Sequence, residues 1–316
     1  MSTEATRAQS ASPESALSFL GRVDHVCAAR EALVRDGRVA LSGLVGPARG
    51  LLPLLLAEAP LLVVVPNEKE VDMVARDLGT LAAEARQPGP VLAFPAPGPP
   101  PYRGLPRHAD AALRRAAALL AVRRGGPRAI VASPAGLLRP SLAPALLETR
   151  VLSLRVGDEM TPEILLEALD EGGYVREDPV TAPGQVARRG GILDLFPSDR
   201  DLPVRLEFLG DTVESLRTFD PETQRTVAPL EAMTTLPLSD VFATRSVVSR
   251  LSARLVERFP PGRERAAFLE SLERGLVPEG LVELLPLVPG ATVPAWEHLG
   301  AWPVAVLEPE AVRSEV

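Results

Sequence analysis

Residues 43–50 read Gly43-Leu44-Val45-Gly46-Pro47-Ala48-Arg49-Gly50 and lie between a strand-like and a helix-like run. That is where a phosphate-binding loop belongs. Such a loop takes the form G-x-x-x-x-G-K-[ST]: glycines let amides face phosphate, lysine reaches the outer phosphates, and a hydroxyl holds magnesium. Gly43 fits the first glycine, but Ala48 replaces the second, Arg49 the lysine and Gly50 the hydroxyl residue. Pro47 removes one more amide from a cradle that would include Gly46. A helix N-terminus still attracts an anion. Without an oxygen for the metal, hydrolysis is not expected, and the loop reads as a degenerate nucleotide site or an ordinary strand-to-helix turn. The histidines, His25, His108 and His298, are far apart and have no Cys or His at metal-ligand spacing. Neither a G-x-S-x-G elbow nor an H-E-x-x-H helix is present. No catalytic residue, metal site or cofactor is expected.

Whatever these residues do, a soluble scaffold must position them. The chain has 316 residues, of which 46% are hydrophobic and 24% charged, enough for two or three small cores. No apolar run approaches the ~20 residues a membrane-spanning helix needs. Residues 1–18 are polar and lack the apolar stretch of a secretion signal. A single Cys27 fits a reducing compartment, so a cytoplasmic location is expected. The net charge of -7 argues against strong autonomous DNA binding, because holding phosphates takes a basic face.

The first part of the chain alternates strand and helix patterns. Residues 38–42 (RVALS), 61–65 (LLVVV), 91–94 and 129–132 read as strands. Residues 51–57, 68–86 and 109–124 read as helices; in the second, Val71, Val74, Leu78 and Leu81 recur every three or four positions. Repetition of this kind implies a parallel sheet flanked by helices. Between Phe94 and Arg107 lies a proline-dense loop, a stiff surface connection rather than a peptide-ligand site. Near Val151 the pattern changes. Thr161 and Pro162 open one helix as N-cap and first-turn proline, and then the chain turns β-rich. Residues 203–209 and 212–218 flank Gly210-Asp211, the signature of a tight hairpin. From Thr244 helical spacing returns. The expected organisation is a disordered tail (1–24), a degenerate nucleotide-binding-like α/β domain (25–150), an inserted α+β domain (151–237) and a helical return to the parent domain (238–316).

The most specific stretch runs from Gly184 to Gln224. Along it Val204, Leu206 and Phe208 share one side of a strand, while Arg205, Glu207 and Leu209 share the other. Arg188 and Arg189 precede Gly190-Gly191, where the backbone can turn sharply. Two runs, Arg189-Gly190-Gly191-Ile192-Leu193-Asp194-Leu195-Phe196-Pro197 and Arg205-Leu206-Glu207-Phe208 through Asp211 to Arg217, resemble the homology module shared by UvrB and bacterial transcription-repair coupling factors. The damaged loop, the scarcity of tyrosine (Tyr102 and Tyr174) and the phrases from Phe219 to Thr226 and Gly275 to Leu287 resemble the coupling factors more than UvrB.

That resemblance implies a degenerate P-loop, RecA-like parallel-sheet domain carrying an inserted α+β domain like domain 2 of UvrB. It implies a non-catalytic adaptor of transcription-coupled nucleotide-excision repair that docks on UvrA. The positions matching the family's UvrA contacts are Arg189, Arg205 and Leu209, with Leu209 standing where the family usually has an aromatic. The parent protein would be an ATP-dependent DNA translocase that displaces stalled RNA polymerase. Its polymerase- and DNA-binding regions lie outside these residues. Two alternatives remain open. One is an ATP-dependent helicase-like core; the other is a DNA-holding module using Arg188, Arg189, Arg200 and Arg205. Arg205 could also pair locally with Glu207 or Glu214.

Overall fold

The computed structural model describes residues 20–57, 60–98, 109–239, 245–274, 276, 278 and 280–315. Most of the proline-dense loop, Tyr102, His108 and the first nineteen residues of the expected tail lie outside them.

Four parallel strands form the first sheet: β1 (Leu61–Val64), β2 (Val91–Phe94), β3 (Ala129–Ala132) and β14 (Val304–Val306), in the order β14-β1-β3-β2. β1 and β3 are apolar throughout and wholly buried, as strands covered on both faces must be. Of the helices, α1 (Asp24–Asp36) and α2 (Ala48–Leu56) precede β1, and α3 (Glu68–Glu84) follows it. The Asn67 side chain caps α3 by accepting from the Lys69 amide. Val71, Val74, Ala75 and Leu78 of α3 pack with Leu54, Leu61 and Val63 on one face of the sheet. α4 (Ala109–Arg123) covers the other face, where Ala118, Leu119 and Leu120 meet Leu62, Phe94 and Ile130. Among the described residues, no helix is long and apolar enough to cross a membrane.

Two expectations need correction. Residues 38–42 are not a strand. β1 is flanked on both sides, by β3 and by β14, and residues 38–42 do not pair with it. β14 itself lies in the segment expected to be helical. Three residues are too few to show a period, so sequence did not reveal it. Residues 238–316 do contain α6 (Arg245–Arg258), α7 (Arg263–Glu273) and α8 (Pro309–Glu315). They also contain β13 (Thr292–Pro294), which pairs antiparallel with β4 (Pro140–Leu142).

The second sheet has six strands in the order β11-β10-β9-β8-β7-β6. These are β6 (Val175–Arg176), β7 (Gln185–Arg189), β8 (Ile192–Leu195), β9 (Val204–Leu209), β10 (Thr212–Phe219) and β11 (Thr226–Leu230). Pairing is antiparallel from β7 to β11 and parallel between β6 and β7. β5 (Leu152–Arg155) pairs antiparallel with β12 (Ala232–Thr235), so the chain enters and leaves this unit through adjacent strands. One face of the sheet receives α5 (Pro162–Glu171), whose first turn is closed by a bond from the Ile164 amide to Thr161 Oγ1 (3.2 Å). Leu165, Leu166 and Leu169 of α5 meet Val186, Leu193, Leu195, Val204, Leu206, Val213 and Leu216 in one core.

Side chains on β9 alternate between that core and the opposite face, which gives a stability test. Leu206 is fully buried and Leu209 is 71% exposed. Leu206→Ala should cost about 2–5 kcal/mol through lost burial and an unfilled cavity. Leu209→Ala should leave the urea midpoint where it is. A common shift for both would contradict the assigned faces.

Candidate functional site

Two places were singled out by sequence, and the structure treats them differently. In residues 43–50, the amides that would face a phosphate are turned to the chain's own carbonyls. Ala48 N–H donates to Val45 O (3.3 Å), Arg49 N–H to Gly46 O (3.3 Å) and Gly50 N–H to Pro47 O (3.2 Å). Gly43 (φ 75°) and Gly46 (φ 55°) take left-handed conformations that let the loop bend into α2. Arg49 directs its guanidinium at the Glu308 carboxylate, a built-in anion where a phosphate would have to go. Gly50 is buried against α3, and a Cβ there would lie 2.6 Å from Cδ2 of the buried Leu78. Gly50 therefore serves the close packing of α2 on α3. With no strand before it, the loop does not occupy the end of a sheet strand, which corrects the expected strand-to-helix turn.

The other place is the face of the second sheet turned away from α5. Register builds it in transverse rows. Arg189 of β7 lies opposite Ile192 of β8, and Ile192 opposite Glu207 of β9. Glu207 in turn lies opposite Ser215 of β10. In the next row Ala187, Asp194, Arg205 and Arg217 follow one another. Two-residue turns, Gly190-Gly191 and Gly210-Asp211, bring Arg189 and Leu209 to the same end of the sheet, and Gly190 and Gly210 both adopt φ 63°. Gly191 O accepts from the Phe208 amide (2.8 Å), holding the two turns side by side.

Ion pairs organise this face. Arg205 binds Asp194 through two bonds, Nε–Oδ1 at 2.6 Å and Nη2–Oδ2 at 2.8 Å. Its guanidinium carbon stands 4.6 Å from the centre of the Phe219 ring, within cation–π range. Asp194 is only 2% exposed. The expected local partners, Glu207 or Glu214, are not what Arg205 pairs with. Glu207 accepts instead from Arg217 (2.9 Å) and Ser215 (2.8 Å). Arg189 forms a two-bond pair with Asp178 at the surface. The hydrogen bond from Arg189 holds the Asp178 carboxyl below the usual aspartate range, and the bond Arg205 donates to Asp194 raises the proton affinity of Arg205. Arg188 points to the other side, where it meets Glu163 of α5 (2.6 Å).

The strip thus joins Arg189, Arg205 and Leu209 with Glu207, and adds Ile192, Arg217 and two carboxylates, Asp178 and Asp194, that sequence reasoning did not assign to it. Asp194 carried a signal in its spacing, since it alternates with the buried Leu193 and Leu195. The partner it selects depends on the β8–β9 register, which an eight-residue loop leaves unspecified in sequence. Among the described residues, no three His, Cys, Asp or Glu side chains gather as a metal would require.

Residues 152–240 match the family described as the UvrB interaction domain. The chain carries a UvrB interaction domain. Over most of its length it is similar to transcription-repair-coupling factors. It is 34% identical to that of Myxococcus xanthus over 266 residues, which is 79% of this chain and 22% of that protein. It is 29% identical to that of Mycobacterium bovis over 275 residues, 82% of this chain and 22% of that protein. With the Escherichia coli protein it shares 30% identity over 161 residues, 51% of this chain and 14% of the other. The chain therefore spans about a fifth of the length of the first two relatives. The matched segment includes β5 to β12, and with them every residue of the strip.

Two measurements test this anatomy. Gly50→Ser restores a hydroxyl to the loop but should destabilise the protein by about 1–3 kcal/mol, because Leu78 must move; an unchanged melting temperature would contradict the packing role. Asp194→Ala should cost about 3 kcal/mol by leaving the half-buried Arg205 guanidinium unpaired. Asp178→Ala, at an exposed pair, should not move the denaturation midpoint.

Proposed function

We propose that this chain is a non-catalytic adaptor of transcription-coupled nucleotide-excision repair that docks on UvrA through the outer face of its UvrB interaction domain. In this reading residues 25–150 and 238–316 form one parent domain, and residues 151–237 are inserted into it. The pairing of β5 with β12 at the entry and exit of the unit, and of β14 with β1, supports that division. Arg189, Arg205 and Leu209 are the UvrA contacts. The single observation that carries the reading is the strip itself: within the segment matching the UvrB interaction domain, these three residues share one face of the sheet, Arg189 and Leu209 exposed at its turn end and Arg205 one row inward and mostly covered. The full-length protein would be an ATP-dependent DNA translocase that displaces stalled RNA polymerase, with its polymerase and DNA contacts made by regions beyond these residues.

An ATPase core is the weaker reading, because the loop amides are internally bonded and Arg49 faces a carboxylate. A DNA-holding module is weaker too. Arg188, Arg189 and Arg205 each have a carboxylate partner, so binding phosphate would require displacing it. In a pull-down, UvrA should be retained by the intact chain and lost, by about tenfold or more in affinity, from the Arg189→Ala/Arg205→Ala double variant. Equal retention by both would remove these arginines from the interface.

A further inference from the structure

We infer that Ile192 is a specificity-determining contact of the docking face, forming with Leu209 an apolar anchor inside a frame of charge-balanced arginines. Association with UvrA then depends on burial and directed hydrogen bonds rather than on net charge attraction. This rests on the docking reading given above and adds to it a residue, a mode of binding and the chemistry of the partner surface.

The first observation is placement. Ile192 lies directly opposite both Arg189 and Glu207, and Leu209 follows Glu207 on the same face of β9. Ile192 and Leu209 are therefore diagonal neighbours, a separation that long aliphatic side chains bridge. Ile192 is 38% exposed and Leu209 71%, although Leu193 and Leu206 beside them are in the core. A single exposed aliphatic residue means little. Two adjacent ones at the turn end of a sheet, with ion pairs around them, have the anatomy of an interface: an apolar centre and a polar rim.

The second observation is charge. Arg189 faces Asp178, Arg205 faces Asp194 and Arg217 faces Glu207, so three guanidinium groups meet three carboxylates and these six side chains carry no net charge. A face built to attract an acidic surface over long range would not neutralise its own cations. Pairing instead fixes the guanidinium planes before contact, which lowers the ordering cost of binding. Both Arg189 and Arg205 turn Nε and Nη2 to their own carboxylate. The Nη1 edge of each lies outside that pair. The complementary surface is an apolar hollow rimmed by carbonyl or carboxylate acceptors aimed at those edges.

The test is a titration of purified UvrA with the full 316-residue chain and with Ile192→Leu, Ile192→Ala and Ile192→Glu. Ile192 lies outside the core, so melting curves of the variants should overlay the parent's; if Ile192→Glu misfolds, Ile192→Ala carries the comparison. Ile192→Leu should bind within about twofold of the parent, Ile192→Ala at least about fivefold more weakly, and Ile192→Glu more weakly still. Parental affinity should fall by less than about fivefold between about 50 mM and about 500 mM NaCl. Parent-like binding by folded Ile192→Ala, or a larger loss with salt, overturns the inference while leaving docking intact. Failure of the parental chain to bind UvrA removes the docking reading and this inference together.

Discussion

Asp194 is the only carboxylate among the described residues that is almost fully withdrawn from water, and its bond to Arg205 constrains much of the second sheet. Burying a carboxylate is costly unless a partner and good geometry offset the lost hydration. Two short bonds supply that, with the Phe219 ring under the guanidinium excluding water from one side. Because Asp194 and Arg205 are direct cross-strand partners, the pair also fixes the β8–β9 register. A slip of one residue would carry Asp194 into the aliphatic core and Leu193 out of it. The pairing that sets Leu193 against Leu206 inside therefore sets Ile192 against Glu207 outside, and the outer strip and the core are two sides of one register.

At residues 43–50 glycines bend the chain, an arginine carries charge, and a helix begins. Each feature has a structural use: Gly50 admits Leu78, Arg49 meets Glu308, and the amides close their own turns. The two places differ in what their arginines do. Arg49 joins distant parts of the chain, whereas Arg189 and Arg205 each bind a carboxylate eleven residues away.

Local periodicity was legible in the sequence wherever it ran long enough. The helix from Glu68, the hairpin at Gly210-Asp211 and the alternation along β9 could all be read from spacing and turn chemistry. Register and partner choice could not. Arg205 has acidic neighbours at Glu207 and Glu214, yet it binds Asp194, eleven residues away across a loop whose length does not determine pairing. β14 escaped because three residues carry no pattern, and it is β14 rather than residues 38–42 that lies beside β1. The exposure of Ile192 followed from the same register and could not have been read before it. The motif located the face; tertiary pairing composed it.

Hydrogen–deuterium exchange of the 316-residue chain, alone and with saturating UvrA, tests the central claim most directly. Slowed exchange should concentrate in β7 to β10 and their two glycine turns, with residues 43–50 unaffected. Protection confined to residues 43–50 or to the first sheet, with β7 to β10 exchanging as in the free chain, would contradict the assignment of this face to UvrA.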